Sequence, residues 1–299
     1  MKTVSVIIPV FNAGLFLEET LTSVLTQTYT DLDIIAVDDG SSDNSADIVA
    51  RLGKRDSRVR LFSMPQNQGI ARARNRAMEE VRGDYIAFLD SDDLWDPDKV
   101  EKQVALLDRH PAAGLIFTAS RVVDKDGNVL NKNLCAGRKI PTGRIDPLTF
   151  IIDRYPLITS SVMIRGECIR ALGMFDSRFE TGEDFEYWLR ILRRFDQIFI
   201  PEVLTSYRDH AQSASKNRLC NRRSKVAILE HLRDSEPDYF ASLGPRMALF
   251  LFRQKLGLAQ LLKQNSHPEM AEREFKSAQL LNVPRRVKLK AKLLKRRYC

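Results

Sequence analysis

The sequence is poor in cysteine and has no long apolar run. Its 299 residues include four cysteines, which are far apart and form no CxxC pair: Cys135, Cys168, Cys220 and Cys299. This spacing indicates neither a zinc site nor a disulfide framework. The run VSVIIPV near the start is interrupted by Ser5 and Pro9, and it is far shorter than the ~18 residues of a membrane-spanning helix. We therefore expect no spanning helix, no signal peptide and a reducing, cytoplasmic setting.

Acidic residues are absent from the segment 285–299, which contains eight Lys and Arg. The other 39 of the 47 basic residues balance 39 acidic ones, so this tail accounts for the net charge of +8. Four residues at helical spacing give the tail a narrow apolar stripe: Val287, Ala291, Leu294 and Tyr298. A basic amphipathic helix is typical of binding to an anionic membrane surface, and a solvated or disordered tail is the alternative. No recognition motif accompanies the charge, so we expect no nucleic-acid partner.

The first 120 residues alternate between short apolar runs and helical patterns. Five runs predict strands, at 4–10, 33–39, 59–64, 85–90 and 113–120. Apolar residues at helical spacing predict helices between them, over 17–28, 46–52 and 70–81, with a fourth helix opening at Pro97. This alternation predicts βαβ units and an α/β fold with a mainly parallel central sheet. No GxGxxG motif follows the first strand, which argues against a Rossmann dehydrogenase.

The pattern changes after residue 120. The Asp126-Gly127 pair predicts a hairpin over 122–130, and apolar runs predict a strand over 157–164 and a helix over 182–195. From about residue 216 only helical periodicity remains. We therefore divide the chain into a catalytic α/β domain over 1–215, a helical region over 216–284 and the basic tail over 285–299, and the pattern leaves the oligomeric state open.

Polar side chains follow three strands of the predicted sheet. Asn12 comes after the first strand, Asp38 and Asp39 end the second, and DSDD (90–93) ends the fourth. In open α/β sheets, ligands bind at the carboxyl ends of the strands, and Mg²⁺ uses one or two carboxylates together with substrate phosphates. The alternative is that the acids of 90–93 cap the next helix. Capping does not account for three aspartates in four positions, so we favour a ligand site.

Seven short segments, in this order, carry a family resemblance: SVIIPVFN (5–12), LTSVLTQTY (21–29), VDDGSSDNS (37–45), NQGIARARN (67–75), FLDSDDLW (88–95), GEDFEYWLR (182–190) and YRDHAQSAS (207–215). The chain resembles the family-2 glycosyltransferases over roughly residues 3–215. The resemblance implies the GT-A fold for this region and does not extend to the helical region that follows.

The resemblance implies a site for a nucleotide-sugar donor. Pro9, Phe11 and Asn12 of PVFN would form the base pocket with Asp39, whose carboxylate accepts a hydrogen bond from the base. A carboxylate accepts N–H groups of uracil, thymine or guanine, so the base stays open and a UDP-sugar is our first candidate. The alternative for Pro9 and Phe11 is that they only end a strand and fill the core.

The segment NQGIARARN is implied to face the diphosphate of the donor. Gly69 opens the helix, and its first turns carry Arg72, Arg74 and Asn75. Backbone N–H groups at a helix start and a guanidinium group both suit a diphosphate. Arg74 matches the family's ARN, so we expect Gly69, Arg74 and Asn75 to bind the donor, while a solvated basic face is the alternative for Arg72.

The segment FLDSDD supplies the DxD motif of the family. The resemblance implies that Asp90 lies near the ribose and the metal, and that Asp92 binds Mn²⁺ or Mg²⁺ directly. Asp93 is expected to cap or support the following helix. His210 in YRDHAQSAS stands where related enzymes supply another metal or phosphate contact, although a lone histidine is more often a plain surface or core residue.

Asp184 in GEDFEYWLR is implied to be the general base that deprotonates the acceptor hydroxyl. Glu183 is the substitute, and a helix cap is the alternative role. One in-line displacement inverts the anomeric configuration. The QxxRW motif of processive synthases is missing, because the tryptophans are Trp95 and Trp188. We expect an inverting, single-transfer, hexosyltransferase-type enzyme for a glycan or lipid-linked acceptor of cell-surface polysaccharide assembly, with a non-catalytic nucleotide-sugar-binding or scaffold protein as the alternative.

Overall fold

The computed structural model describes residues 2–153, 156–293 and 295–298. The chain divides into two compact units. The first unit contains Met1–Ser177 and Glu183–Ser213, and the second contains Arg178–Gly182 and Ala214–Cys299. The short segment Arg178–Gly182 therefore belongs to the second unit, although the residues before and after it in the sequence belong to the first unit.

Four parallel strands form the first half of the central sheet in the order β3-β2-β1-β4. Their bounds are Val4–Val10 (β1), Leu32–Asp38 (β2), Val59–Ser63 (β3) and Tyr85–Phe88 (β4). Ile7 of β1 pairs with Ile35 of β2 and Phe88 of β4. Since strands covered on both faces read as continuous apolar runs, the sequence prediction of these four strands is confirmed.

Four helices alternate with these strands: Leu17–Leu25 (α1), Ser45–Gly53 (α2), Ile70–Glu79 (α3) and Lys99–Arg109 (α4). Leu17, Leu21 and Val24 bury one face of α1 against the sheet, as helical spacing predicts. The prediction that α4 opens at Pro97 is wrong. The carbonyl oxygen of Pro97 accepts a hydrogen bond from Thr28 N at 2.8 Å, and the helix begins two residues later.

The second half of the sheet is mixed, with the order β4-β8-β6-β9-β5 and β7 paired to β6. The bounds are Leu94–Trp95 (β5), Ala113–Val123 (β6), Val129–Asn131 (β7), Val162–Arg165 (β8) and Asp196–Arg208 (β9). β8 is antiparallel to both β4 and β6, while β6 and β9 are parallel. The α/β class is confirmed, and the mainly parallel pairing that the alternation predicts is confined to β1–β4 and the β6–β9 pair in the part of the chain that the structure describes.

The sequence pattern does not predict β9, because Pro201 and Glu202 interrupt its apolar residues. The pairing with β6 shifts at this point: Thr118 pairs with Ile200, and Ala119 pairs with Val203. A bulge accommodates a proline in a strand, since proline cannot donate to the ladder. The strand thus continues past Pro201 and carries its last residues to the end of the sheet that holds the turn 90–93.

The region between β6 and β9 combines predicted and unpredicted elements. The hairpin is confirmed, since Val123 pairs with Val129 and Gly127 has a φ of 86°. The predicted strand over 157–164 is wrong in its first half, because Thr159–Ser161 forms a 3₁₀ turn in which Ser161 N donates to Ile158 O at 2.9 Å. Three further helices are Pro147–Asp153 (α5), Gly166–Leu172 (α6) and Glu183–Arg194 (α7), and α7 matches the predicted helix.

The described part of the second unit is helical. Its helices are Arg218–Ser235 (α8), Pro237–Ser242 (α9), Gly244–Gln264 (α10), Pro268–Leu280 (α11), Arg285–Leu293 (α12) and Lys295–Tyr298 (α13). Val226, Leu258 and Leu262 form its apolar core with Ala271. None of the described helices is both long and apolar enough to cross a membrane.

The basic tail presents a different apolar surface from the one that its sequence predicts. Ala291 is buried, Val287 is half-buried, and the ring of Tyr298 stacks on Phe275 of α11 at 6.0 Å. These members of the predicted stripe therefore pack within the second unit, and Leu294 lies outside the described residues. Two other leucines of α12 face outward: Leu289 and Leu293, which are 60% and 79% exposed.

Candidate active site

The loop that follows β1 is held in an unusual backbone conformation. Asn12 has a φ of 48°, which is uncommon for a residue with a side chain. Its backbone N donates to Ser41 Oγ at 3.0 Å, and its Oδ1 accepts from Ser42 N at 2.8 Å. Asn12 therefore joins the loop after β1 to the loop after β2. Beside it, Pro9 is buried within β1, whereas the ring of Phe11 is 46% exposed.

Asp39 organises the loop that leads into α3. Its buried carboxylate accepts hydrogen bonds from Gln68 N and Gly69 N, both at 2.8 Å. Gly69 precedes α3 with a φ of 93°, a conformation that favours glycine. Each carboxylate oxygen has two lone pairs and accepts one of these bonds, so Asp39 retains the capacity to accept a further N–H group on either oxygen.

Arg74 of α3 connects two acidic segments of the site. Its buried guanidinium donates from Nη2 to Asp90 Oδ1 at 2.6 Å and from Nη1 to Glu183 Oε1. Burial, reinforced by the neighbouring Asp184, raises the pKa of Glu183 to about 7 against the lowering effect of Arg74. The charge of Arg74 is therefore directed at two carboxylates, and its contact with the diphosphate of a donor stays a prediction.

Asn75 forms a backbone clamp. Its Nδ2 donates to Phe175 O, and its Oδ1 accepts from Phe175 N, both at 2.9 Å. Both polar functions of this side chain are thus used by one residue, whose ring lies 5.6 Å from the guanidinium carbon of Arg74. The pairing gives Asn75 of α3 a structural role, and its predicted contact with the donor stays a prediction.

The turn 90–93 is fixed by hydrogen bonds to Ser160 and Arg208. Asp93 is buried and accepts from Ser160 Oγ at 2.5 Å and from Arg208 N at 2.8 Å. Ser160 Oγ in turn accepts from Asp90 N at 3.0 Å. Asp93 therefore braces the turn against the 3₁₀ turn and β9. The expectation that it supports the next helix is wrong, since the N-cap position of α4 is occupied by Asp98.

Asp92 and His210 lie in direct contact. His210 Nε2 and Asp92 Oδ2 are 2.8 Å apart, and the imidazole lies 4.9 Å from the ring of Phe16. The side chains of Asp92 and His210 are 26% and 11% exposed, so the pair is open to a ligand. Burial and the charge of Asp90 raise the pKa of Asp92, which the contact with His210 partly opposes. The structure thus brings together two predicted metal ligands that are 118 positions apart in sequence.

The donor set at this pair suits a divalent cation that keeps other ligands. Among residues 2–153, 156–293 and 295–298, no three His, Cys, Asp or Glu side chains are arranged to hold a metal ion. Mg²⁺ characteristically binds one or two carboxylates and completes its coordination with waters and substrate phosphates. Asp92 with His210, and Asp90 beside them, fit a site of that kind and do not form a closed protein cage.

Asp184 and Glu183, at the start of α7, differ in their burial and in their hydrogen-bond partners. Asp184 is half-buried, and its Oδ2 accepts a hydrogen bond from Thr159 Oγ1 at 2.6 Å. Glu183 is buried against Arg74. The Oδ1 of Asp184 accepts from Phe185 N, also at 2.6 Å. Hydrogen bonds thus hold both carboxylate oxygens of Asp184, and of the two acids Asp184 is the one that solvent or a substrate hydroxyl can reach.

Three contributors to this arrangement were not identified from sequence: Thr159, Ser160 and Arg208. The two hydroxyl residues belong to the segment that reads as a strand, where serine and threonine carry no signal. Arg208 stands two positions before His210 in YRDHAQSAS, so its place in that segment was the one available indication.

Comparison with known proteins identifies the family of the chain. The family model described as glycosyl transferase family 2 matches residues 5–165, which include β1 from its second residue, β2–β4, the turn 90–93 and Ser160. The chain belongs to this family. Among curated members, it is 36% identical over 216 residues to TuaG of Bacillus subtilis, a glycosyltransferase named for teichuronic acid biosynthesis. That match covers 72% of this chain and 82% of TuaG.

Solved structures of glycosyltransferases share the fold. Residues 1–349 of S. aureus TarS in complex with UDP-GlcNAc match with a TM-score of 0.70 at 19% identity, covering 95% of this chain and 82% of that one. A mannosyltransferase from Pyrobaculum calidifontis in complex with GDP-Man and Mn²⁺ matches with a TM-score of 0.62 at 18% identity, covering 98% and 80% of the two chains. This member of glycosyl transferase family 2 therefore has the GT-A fold that its sequence predicts.

Proposed function

We propose that this glycosyltransferase is an inverting, metal-dependent enzyme that moves a hexosyl group from a nucleoside-diphosphate sugar to an acceptor hydroxyl. The observation that carries the proposal is the contact between Asp92 and His210, together with the Arg74 bridge from Asp90 to Glu183 beside Asp184. The Arg74 bridge joins the turn that carries the proposed metal ligands to the start of α7, where the proposed base lies. A protein that only binds the donor has no need for a carboxylate held in this way.

The donor binds, in this proposal, at the loops after β1 and β2. The exposed ring of Phe11 offers a surface for the base above Pro9, and Asp39 keeps an acceptor position for a base N–H group. Asn12 and Gly69 shape the loops through their left-handed backbone. The UDP-GlcNAc and GDP-Man complexes of proteins with this fold support a nucleotide-sugar donor, and a UDP-sugar is our first candidate.

Asp92 and His210, with Asp90 beside them, would hold Mn²⁺ or Mg²⁺. When bound there, a divalent cation supplies the positive charge that stabilises a leaving nucleoside diphosphate. The Mn²⁺ complex of the Pyrobaculum mannosyltransferase supports this choice of cofactor. Arg74 keeps Asp90 oriented, because its guanidinium holds one of the two Asp90 carboxylate oxygens.

Asp184 acts as the general base in this proposal. It takes the proton of the acceptor hydroxyl as that oxygen attacks the anomeric carbon from the side opposite the leaving group, and this single displacement inverts the configuration. Thr159 Oγ1 donates to one carboxylate oxygen and Phe185 N donates to the other, so both oxygens are oriented, and each keeps a lone pair for the proton. The acceptor we propose is a glycan or lipid-linked glycan of cell-surface polysaccharide assembly, as the similarity to TuaG, named for teichuronic acid biosynthesis, supports. Single transfer rather than processive synthesis is proposed from the missing QxxRW motif.

Thermal unfolding with nucleotides tests the donor and the metal together. UDP with Mn²⁺ is expected to raise the Tm, because a ligand at 100 times its Kd stabilises the folded state by about 2.7 kcal/mol. UMP with Mn²⁺ is the matched control, since it has the base without the diphosphate, and GDP and ADP compare the bases. If GDP raises the Tm and neither UDP nor ADP does, the proposed donor becomes a GDP-sugar. If no nucleoside diphosphate shifts the Tm with either metal, the proposed donor site is refuted.

We also propose that the basic tail binds the anionic cytoplasmic face of a membrane, where a lipid-linked acceptor is presented. The surface consists of Leu289 and Leu293 of α12 with the flanking Arg285, Lys290 and Lys292, all of which are exposed. Two outward leucines among basic side chains match an anionic lipid surface in both charge and apolar character.

Replacing both leucines, Leu289→Ser with Leu293→Ser, is expected to weaken binding to vesicles that contain phosphatidylserine. Burying a leucine side chain contributes about 1.5–3 kcal/mol, so partial insertion of two predicts a loss of affinity of roughly tenfold or more. Sedimentation with vesicles measures it. Leu15→Ser, an 81% exposed leucine of the first unit, is the control and should bind normally. Equal vesicle binding by the double variant and wild type would refute this surface.

A further inference from the structure

Arg208, the last residue of β9, is a buried arginine whose hydrogen bonds converge on the turn 90–93. It is 2% exposed. Its backbone N donates to Asp93 Oδ1 and its Nε donates to the carbonyl oxygen of Asp92, both at 2.8 Å. The remaining guanidinium nitrogens reach Lys125 O at 3.0 Å and Glu19 Oε2 at 2.7 Å. Arg208 thus connects the turn to the β6–β7 hairpin and to α1.

Phe16 places Arg208 and His210 against a common surface. The guanidinium carbon lies 4.7 Å from the centre of the Phe16 ring, and the imidazole lies 4.9 Å from it. Arg208 holds the backbone of Asp92, and His210 contacts its carboxylate. The backbone carbonyl and the carboxylate of Asp92 are therefore held by two residues that lie two positions apart at the end of β9 and just after it.

We propose that Arg208 is a positioning residue that keeps the Asp92 carboxylate opposite His210 in the geometry that accepts a divalent cation. The proposal rests on the proposed metal site and adds to it a residue that does not touch the cation. Residues that orient metal ligands change metal affinity by about 10- to 100-fold when they are replaced. The planar fork of arginine serves three acceptors at once, whereas a lysine ammonium cannot reproduce that geometry.

A purely electrostatic role for Arg208 makes the opposite prediction. Its positive charge lies beside a turn with three aspartates, and like charges repel, so that charge by itself opposes cation binding. If charge were the whole role, Arg208→Met would bind Mn²⁺ more tightly than wild type, and Arg208→Lys would equal wild type. If positioning dominates, both variants bind Mn²⁺ more weakly.

The experiment is a titration of the full-length chain with Mn²⁺, alone and with UDP, in which the free ion is measured by electron paramagnetic resonance. Arg208→Lys is expected to raise the Mn²⁺ Kd by about 10- to 100-fold. Arg121→Lys is the matched control, because Arg121 is a half-buried arginine of the adjacent strand β6 that bonds Asp96 and Ser206 Oγ. The control should change the Kd less than about twofold, within the ordinary effect of a substitution away from such a feature.

Glu19→Gln provides a second variant in case Arg208→Lys does not fold. The Glu19 side chain is 60% exposed, so we expect its substitution to leave the protein folded. The substitution weakens one of the contacts that hold the Arg208 guanidinium, and we expect the Mn²⁺ Kd to rise by about threefold, below the range for losing the whole residue. Unchanged Mn²⁺ affinity in folded Arg208→Lys, or in Glu19→Gln if the lysine variant does not fold, overturns the positioning role. If wild type binds no Mn²⁺ with or without UDP, the metal site itself fails and the positioning role fails with it.

Discussion

Replacing Asp184 with asparagine should lower the rate of sugar transfer by about 10³-fold, within the range for loss of a general base, and leave nucleotide binding at the wild-type level. The amide has nearly the shape of the carboxylate, and its one oxygen can accept from Thr159 Oγ1 or from Phe185 N, which donate to the two oxygens of Asp184, but it cannot take a proton. The measurement pairs initial rates of nucleoside-diphosphate release in the presence of acceptor with the thermal shift that the same nucleotide produces.

Two further variants separate the base from its neighbours. Thr159→Val removes the donor to Asp184 and should reduce the rate by about tenfold, the effect of losing one orienting hydrogen bond of ~1.4 kcal/mol. Glu183→Gln breaks the ion pair with buried Arg74, so its main expected effect is lower stability. Full transfer activity in Asp184→Asn would exclude Asp184 as the base. If Glu183→Gln folds and abolishes transfer in that case, Glu183 takes the role.

Asp92→Asn should remove metal-dependent nucleotide binding. The substitution deletes the carboxylate oxygen and the charge that Asp92 offers to a cation. Replacing residues that only orient metal ligands costs about 10- to 100-fold in metal affinity, so the loss of a direct ligand should cost at least about 100-fold. Nucleotide Kd values measured by calorimetry with and without Mn²⁺ test this. Asp47→Asn, in the exposed first turn of α2, makes the same change of charge away from the site and should bind like wild type.

The pattern of the two titrations decides the metal assignment. In wild type, the nucleotide Kd should fall strongly when Mn²⁺ is added, and in Asp92→Asn it should be the same with and without the metal. A variant that keeps the full Mn²⁺ effect would show that Asp92 is no ligand, and the contact with His210 would then be a structural hydrogen bond.

The parallel part of the sheet was predictable because burial on both faces leaves an unbroken apolar run. β1 and β2 are fully buried, and the helices beside them show one apolar stripe each. β9 was not predictable by the same signal, since Pro201 and Glu202 interrupt it and the bulge that tolerates them depends on the pairing with β6. The 3₁₀ turn at Thr159–Ser161 could not be predicted, because it depends on hydrogen bonds between Ser160 and the distant turn 90–93.

The acidic residues of the candidate site could be predicted from the sequence, but the roles of its arginines could not. The resemblance brought Asp92 and His210 together correctly, although nothing in the residues alone relates positions 118 apart. The direction of Arg74 is decided by Glu183, 109 positions away, and by Asp90, so a motif on one helix cannot reveal it. Arg208 was missed because its partners include the backbone carbonyls of Asp92 and Lys125, whose directions only the folded turn determines.

The segment Arg178–Gly182 has a consequence for how the two units are joined. The chain passes between them three times, at 177–178, 182–183 and 213–214, so no single cut in the chain separates the residues of one unit from those of the other. Within the second unit, the Phe179 ring faces His231 at 6.2 Å, and a Cβ at Gly182 would lie 3.3 Å from Ile228. A protein ending at residue 213 would lose both partners from the five residues that directly precede Glu183 and Asp184. Residues of the second unit thus directly precede, in the chain, the first turn of α7 that carries the proposed base.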